Sequence, residues 1–441
     1  MPPHRLAFYQ PGHFHAALTL RHANPRVAND IHIYADTGPE RDAFTDLVEQ
    51  FNGRAEQPTS WRLHLHEGPD LPDRLIADGH ANAVLLAGHN HSKLETIAHF
   101  TQAGLHVLAD KPWLTDRRQL PFLEQVTTGP TFAMDIMTTR YSIMARLCRQ
   151  VVATPALFGG FDMDADPAID IGSVHHLYKM VNGRPLRRLP WYYDIGIQGD
   201  GMVDVQSHMV EQAQWWVLGD ILGDYDRDVV LDAARRWTTP VPPDLFQDST
   251  GLSVYPASIR QWVRDGVLHY ACNGDIRYRL RGIRVRQTTE WRAREPEGGG
   301  DLHSVTLRGR RVNVIVRQGP DTGYRAELHL RPVADVAIEP ALRDAIRQWQ
   351  EAFPGLSVAP SDLGFRFVIS PGLDHGHESH FPLVLDAFLE HLEQGQWPEA
   401  LRARIRLRYT LLAKARELAL GTSKHVDGNQ SCENGPHLPR T

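Results

Sequence analysis

Three stretches of the chain place reactive side chains where a plain scaffold would not need them. In VLADKPWLT, residues 107–115, an apolar run stops on Asp110, Lys111 and Pro112. Buried strands usually end in neutral turn residues. Here a lysine stands beside a carboxylate on a backbone whose φ the next proline restricts. In GIQGDGMVDVQSHMVEQ, residues 196–212, glycines introduce a helical pattern. Asp204 and His208 are four apart, on one face of such a helix, with Glu211 next along it. The pair either orients an imidazole as a general base or belongs to a capped helix with a satisfied histidine.

The third stretch is LAFYQPGHFHAAL, residues 6–18, a strand followed by a turn. A turn that lets backbone N–H groups approach a pyrophosphate wants G-x-G-x-x-G. Only Gly12 is present; Gln10 and His15 stand in the other two places. A simple strand–helix turn fits as well. Asp36 ends the second apolar run 24 positions after Gly12, close to the roughly 20 expected for a carboxylate that binds a ribose 2′-hydroxyl. Such a carboxylate would repel a 2′-phosphate, so NAD is expected over NADP. The other reading of Asp36 is a helix N-cap.

Histidines cluster twice more. SVHHLYK supplies His175, His176, Tyr178 and Lys179, either as polar groups of a sugar site or as a surface strand. LDHGHESHF supplies His375, His377, Glu378 and His380. That density suggests a divalent metal, but H-E-x-H is one residue short of the helical H-E-x-x-H pair. Substrate contacts or a polar loop are the alternatives.

These residues need elements to hold them. Leu6–Tyr9, Ile31–Ala35, Ala83–Ala87 and Val107–Ala109 read as strands alternating with helical patterns, one of them starting near His15. Such alternation implies a parallel sheet with helices on both faces, binding ligands at the carboxyl ends of its strands. Gly12, Asp36, His89-Asn90-His91 and Lys111 all fall at those ends. Residues 265–330 alternate with period two between polar turns and predict a large, mainly antiparallel sheet. Arg277, Arg279, Arg281, Arg284 and Arg286 stripe one expected strand there, as a phosphate track or a solvated face. Helices are expected at 342–353, where Leu342, Ala345, Ile346, Trp349 and Phe353 share a face, at 383–393, and at 399–420 with Gly421 as C-cap. The polar tail, 421–441, is expected to be disordered.

The totals agree with a two-domain globular protein. The chain has 441 residues, 42% hydrophobic and 23% charged, and a net charge of -6, against a nucleic-acid or anionic-membrane partner. Cys148, Cys272 and Cys432 lie too far apart in sequence for a disulfide framework, and a reducing compartment fits. The first residues, MPPHRLAFYQPGHFH, contain no long apolar run. A cytoplasmic protein without a membrane span is expected.

With these residues in view, the chain resembles the Gfo/Idh/MocA family of oxidoreductases. GLHVLADKPWLT is similar to that family's a-G-k-H-V-l-c-E-K-P motif, with Asp110 for glutamate. GDGMVDVQSHMVEQ is similar to its D-x-x-x-H-x-x-D motif, with Glu211 for the last aspartate. DIMTTRYSI, SVHHLYKMVNGRPLRRLPWYYDI, VLHYACNGDIRYRLRGI, VNVIVRQG and GHESHF resemble the branch with its own oxidoreductase C-terminal domain. The resemblance spans residues 5–420. It implies an α/β fold: a Rossmann domain at 1–130, then an α/β domain at 131–420 whose large open sheet binds substrate and forms a homodimer or homotetramer.

It also implies roles. Cofactor contacts are expected from Gly12, His13, Phe14, His15, Asp36, Gly88, Asn90, His91, Asp110, Lys111 and Pro112. Substrate contacts are expected from Lys111, Arg140, His175, His176, Tyr178, Asp204, His208 and His377. Lys111, Asp204 and His208 are the expected catalytic residues, His208 as base with Lys111 polarising the substrate oxygen. Trp191, Tyr192 and Tyr193 suit stacking on a sugar or core packing. The leading expectation is NAD(P)-dependent hydride transfer at a secondary hydroxyl of a sugar, glycoside or cyclitol. A second is redox-neutral glycoside cleavage through transient oxidation on tightly held NAD. A third is a non-catalytic NAD(P)-sensing protein.

Overall fold

The computed structural model describes residues 3–426 apart from Asn182 and His375. Among them, β1 (Leu6–Tyr9), β2 (Asp30–Tyr34), β3 (Arg62–His66), β4 (Ala83–Leu86), β5 (His106–Asp110) and β6 (Ala133–Ile136) form one parallel sheet, in the order β3-β2-β1-β4-β5-β6. The central strands are buried on both faces, which is why they read as continuous apolar runs. β3 escaped the sequence reading because RLHLH, on the sheet edge, keeps half or more of its side chains in water. β6 escaped because AMDI is short and carries a buried Asp135. The division expected at residue 130 falls just before β6, which completes this sheet.

The second sheet holds ten strands and is mixed. β7 (Ile169–Tyr178) runs through its middle, parallel to one neighbour and antiparallel to the other. A small hairpin follows, β8 (Met180–Val181) and β9 (Arg184–Pro185). The rest are β10 (Val229–Val241), β11 (Val263–Arg264), β12 (Val267–Leu280), β13 (Ile283–Arg294), β14 (Leu302–Arg308), β15 (Val312–Gln318), β16 (Glu327–Pro332), β17 (Ser357–Ser361) and β18 (Gly364–Val368). Except for β7 with β13, the pairings in this sheet are antiparallel. One large apolar core runs through both sheets.

Several local expectations change. The helix beginning at His15 is a single turn, His15–Leu18, followed by turns and bends. The arginine stripe spans two strands: Arg277 faces Arg286 and Arg279 faces Arg284 across the β12–β13 hairpin, whose turn holds Arg281. Asp275 pairs with Arg277 and Arg286, and Asp232 with Arg279, so three of these arginines are engaged by carboxylates of the same sheet. The last helix runs from Glu399 through Gly421 to Val426. Gly421 does not take the positive φ with which a terminal glycine closes a helix. The tail beyond 426 lies outside the described residues. Among the described residues, no helix is long and apolar enough to cross a membrane.

Candidate active site

β5 delivers Lys111 as expected, and the Lys111–Pro112 peptide is cis. The Lys111 ammonium pairs with the Asp204 carboxylate. Asp204 does not lie within the regular helix. It sits in the turn before Gln206–Leu218, where the glycine loop crosses β12. Gly201 passes so close to the Cys272 carbonyl that a Cβ there would overlap it. The second oxygen of Asp204 accepts a hydrogen bond from Gln198 Nε2 at 3.2 Å. His208, on the helix proper, meets Thr139 Oγ1 through Nδ1 at 2.8 Å. Thr139, rather than Asp204, therefore orients the imidazole.

Electrostatics set the protonation of this group. Burial alone would lower the Lys111 pKa, but Asp204 and Asp110 outweigh it and hold the ammonium above the ordinary lysine value. Burial would raise Asp204, yet Lys111 keeps its carboxyl below the usual range. His208 is pushed well below the ordinary histidine value by burial, then by the nearby Lys111 and His377. At neutral pH the site thus holds an ammonium, a carboxylate and a neutral imidazole.

Asp110 lies behind Lys111 and is buried. His15 Nδ1 at 2.9 Å and His13 Nδ1 at 3.2 Å both meet its Oδ2. Although burial opposes it, these rings hold Asp110 well below the carboxylate range, while burial drops His15 to about 3. His13 and His15 are therefore turned toward Asp110; Phe14 between them is exposed. Lys93 donates to Asn90 Oδ1 and to the Asp110 carbonyl, and burial lowers its pKa to about 8. Asn90 in turn donates to the Gln198 carbonyl at 2.7 Å, tying the end of β4 to the loop that carries Asp204.

A groove of about 390 Å³ opens at the carboxyl ends of β1, β2 and β4, lined by Gln10, Asp36, Glu40, Gly88, His91 and Lys93 among others. Gly88 lies against the Gln10 carbonyl, where a Cβ would overlap it. Asp36 is not an N-cap: Gly38 precedes the helix Pro39–Gly53, and Asp36 accepts from Gln10 Nε2 at 2.8 Å. Gly12 backs onto the Glu40 carboxylate. Glu40 also accepts from Trp191 Nε1 at 2.6 Å. The close approach that Gly88 permits, and the acidic Asp36 across the groove, fit a dinucleotide.

A second cavity of about 680 Å³ lies between the Gln206–Leu218 helix and the large sheet, and His208, Thr139 and His377 line it. Its wall on the sheet side carries His175, Lys179, Asp301 and His303. Asp301 joins Lys179 Nζ at 2.6 Å and His175 Nδ1 at 3.2 Å. Buried His176 lies behind, with Nδ1 3.4 Å from the other Asp301 oxygen. Burial would raise Asp301, but His175 and His176 hold it far below the carboxylate range.

Other expected residues go elsewhere. Arg140 and Glu211 pair with each other outside this cavity, and Arg408 bridges Glu211 to Asp135. Tyr178 lies under the Arg294 guanidinium. Tyr193 is buried in a small second core and Tyr192 packs under Arg188, so both are packing residues. Thr138 engages His377, and Glu378 pairs with Arg21, so these two diverge instead of sharing an ion. His380 opens the helix His380–Gln394, and His375 lies outside the described residues. Sequence reading missed Lys93, Thr139, Gln198, Asp301 and His303. GHNHSK, a polar run after a buried strand, was a usable signal for Lys93.

Residues 147–420, more than half of the chain, match the family described as "Putative oxidoreductase C terminal domain". The chain belongs to this oxidoreductase family. The oxidoreductase is similar to a "putative oxidoreductase" from Parabacteroides merdae ATCC 43184, at 33% identity and a TM-score of 0.92, over 96% of this chain and 99% of the other. A 3-ketoreductase from Actinomadura kijaniata, crystallised with NADP and TDP-benzene, matches at 14% identity and a TM-score of 0.54, over 95% and 98% of the chains. The myo-inositol 2-dehydrogenase of Lactobacillus plantarum matches at 12% identity and a TM-score of 0.54, over 95% and 98%. These two likenesses show a shared fold and no more than that. No curated protein matches it.

Proposed function

We propose that this oxidoreductase transfers hydride between NAD and a secondary hydroxyl of a sugar, glycoside or cyclitol. The observation that carries the reading is the meeting of Lys111, at the end of β5, with Asp204 and His208, in the turn and first part of the Gln206–Leu218 helix, with a groove on one side and a polar cavity beside His208. The kinds of molecule named for the 3-ketoreductase and the inositol dehydrogenase support the substrate class.

A bound nicotinamide supplies the hydride acceptor; Gly88, Asp36 and the groove between them would hold the dinucleotide. Lys111, cationic and fixed by Asp204, polarises the substrate oxygen. His208, neutral and oriented by Thr139, takes the hydroxyl proton at Nε2. Asp204 also keeps Lys111 charged through the cycle. NAD is preferred because Asp36 would repel a 2′-phosphate, and Arg41 in the same groove is already engaged by Asp42 and Glu67. We assign the cofactor to residues 1–130 and the substrate and homo-oligomer contacts to 131–420, in the cytoplasm.

One observation favours a second reading, redox-neutral glycoside cleavage. Asp301, His175 and Lys179 form a further proton-handling group on the wall of the cavity that His208 also lines. Incubation with NAD and a panel of glycosides, free sugars and cyclitols, read by mass spectrometry, tests both. A product lighter by two hydrogens with matching NADH supports the dehydrogenase. Free aglycone or an unsaturated sugar without net NADH supports cleavage. No product from any of them overturns both.

A further inference from the structure

A separate histidine cluster lies on the edge of the first sheet. β2 and β3 run parallel with His32 beside His64 and Tyr34 beside His66. Alternation along a strand puts residues two apart on one face, so these four side chains share a face. His80, after the helix Leu71–Asp78, reaches the same place: its ring lies 4.4 Å from that of His32 and 5.6 Å from that of His66. Ring nitrogens of His32, His66 and His80 all lie within 4.8 Å of one another.

The spacing suits one ion. His32 Nδ1 and His66 Nε2 are hydrogen-bonded to each other at 3.0 Å, a contact that an ion between them would replace. Two nitrogens on a tetrahedral zinc, each about 2.0–2.1 Å from the metal, stand about 3.3 Å apart. The surroundings also resemble a ligand's support. His66 turns its other nitrogen, Nδ1, toward Asp78 Oδ2 at 4.0 Å, and Tyr34 donates to that oxygen at 3.0 Å. A carboxylate behind a histidine ligand fixes the ring and raises its basicity. His64 is engaged by Asp30 at 2.8 Å and stands next to His32 as a fourth imidazole.

We infer that His32, His66 and His80 form a site for a divalent cation of the zinc, nickel or copper class, to which imidazole is suited. Asp78 supports His66 from behind. The ligands come from two strands and the turn after a helix, so the ion cross-links the sheet edge. β2 ends just before Asp36, so this cross-link anchors the strand that leads into the groove. The inference does not depend on the proposed reaction.

The test is calorimetric titration of the tag-free, chelator-stripped full chain with zinc alone. One saturating site is expected. His80→Ala and His66→Gln should each weaken it at least tenfold with the circular dichroism unchanged. His80 is exposed, so its variant keeps the test valid if His66→Gln fails to fold. Zinc should also raise the melting temperature of the wild type and not of His80→Ala. His15→Ala, in the other histidine–carboxylate group, should leave this affinity unchanged. Absence of binding, or binding that follows His15 and ignores His80 and His66, overturns the inference.

Discussion

The Lys111 ammonium and the Asp204 carboxylate form an ion pair between two elements that sequence places 93 residues apart. Each holds the other in its charged form despite burial. Lys111→Met should therefore cut turnover about a hundred- to ten-thousand-fold, the usual cost of losing a proton-handling group. Asp204→Asn should give a smaller loss, since it leaves the lysine in place without its partner. Initial rates on the substrate found by the product screen measure both, and near-wild-type turnover in Lys111→Met would remove lysine from the mechanism.

His208 sets the acid limb of the rate. Burial, Lys111 and His377 depress its pKa, so the neutral base persists below the ordinary histidine value of 6.5. Turnover should hold steady as pH falls from 8 to 6.5 and decline only below that. A kcat profile whose acid limb centres at or above 6.5 contradicts this assignment.

Stability should fall in acid over the same range. Burial lowers His15 to about 3 and His303 to about 4 in the folded chain, against 6.5 when unfolded. Between these values the unfolded chain binds more protons, so stability is complete above 6.5 and is lost as pH falls toward 4. The slope is about 1.4 kcal/mol per pH unit for each such group. Urea unfolding at pH 7, 6, 5 and 4 reads it; a midpoint constant down to pH 4 would contradict the buried, neutral rings.

Arg408 is buried between Glu211 and Asp135. Arg408→Ala leaves Asp135 in the core without a cation, while Glu211 keeps Arg140, and should cost about 3–5 kcal/mol. Replacing all three by apolar residues of similar size should recover much of that loss. Thermal unfolding of the single and triple variants distinguishes the two effects.

Asp36→Ala should raise NADP affinity relative to NAD by about tenfold or more, through loss of a charged hydrogen-bond acceptor. Fluorescence titration with each dinucleotide checks it. Tighter NADP binding by the wild type would reverse the assigned preference.

The sequence by itself determined the strands that are buried on both faces, because continuous apolar runs have few other ways to fold. It also located Lys111, Asp204 and His208, since a charged residue at the end of such a run, or an Asp–His pair after glycines, departs from what packing needs. It did not reveal β3 or β6, where edge exposure and a buried Asp135 hide the apolar pattern. Partners were decided only in three dimensions. His13 and His15 face Asp110, Thr139 orients His208, and Arg140 and Glu211 are bound to each other, because each of these contacts joins residues far apart in the chain or turned by a local loop. A motif specifies which side chains are present near a strand end. The packing of helices and loops between the two sheets decides which of them meet, because burial requires every charge to find a partner, and that partner need not be a sequence neighbour.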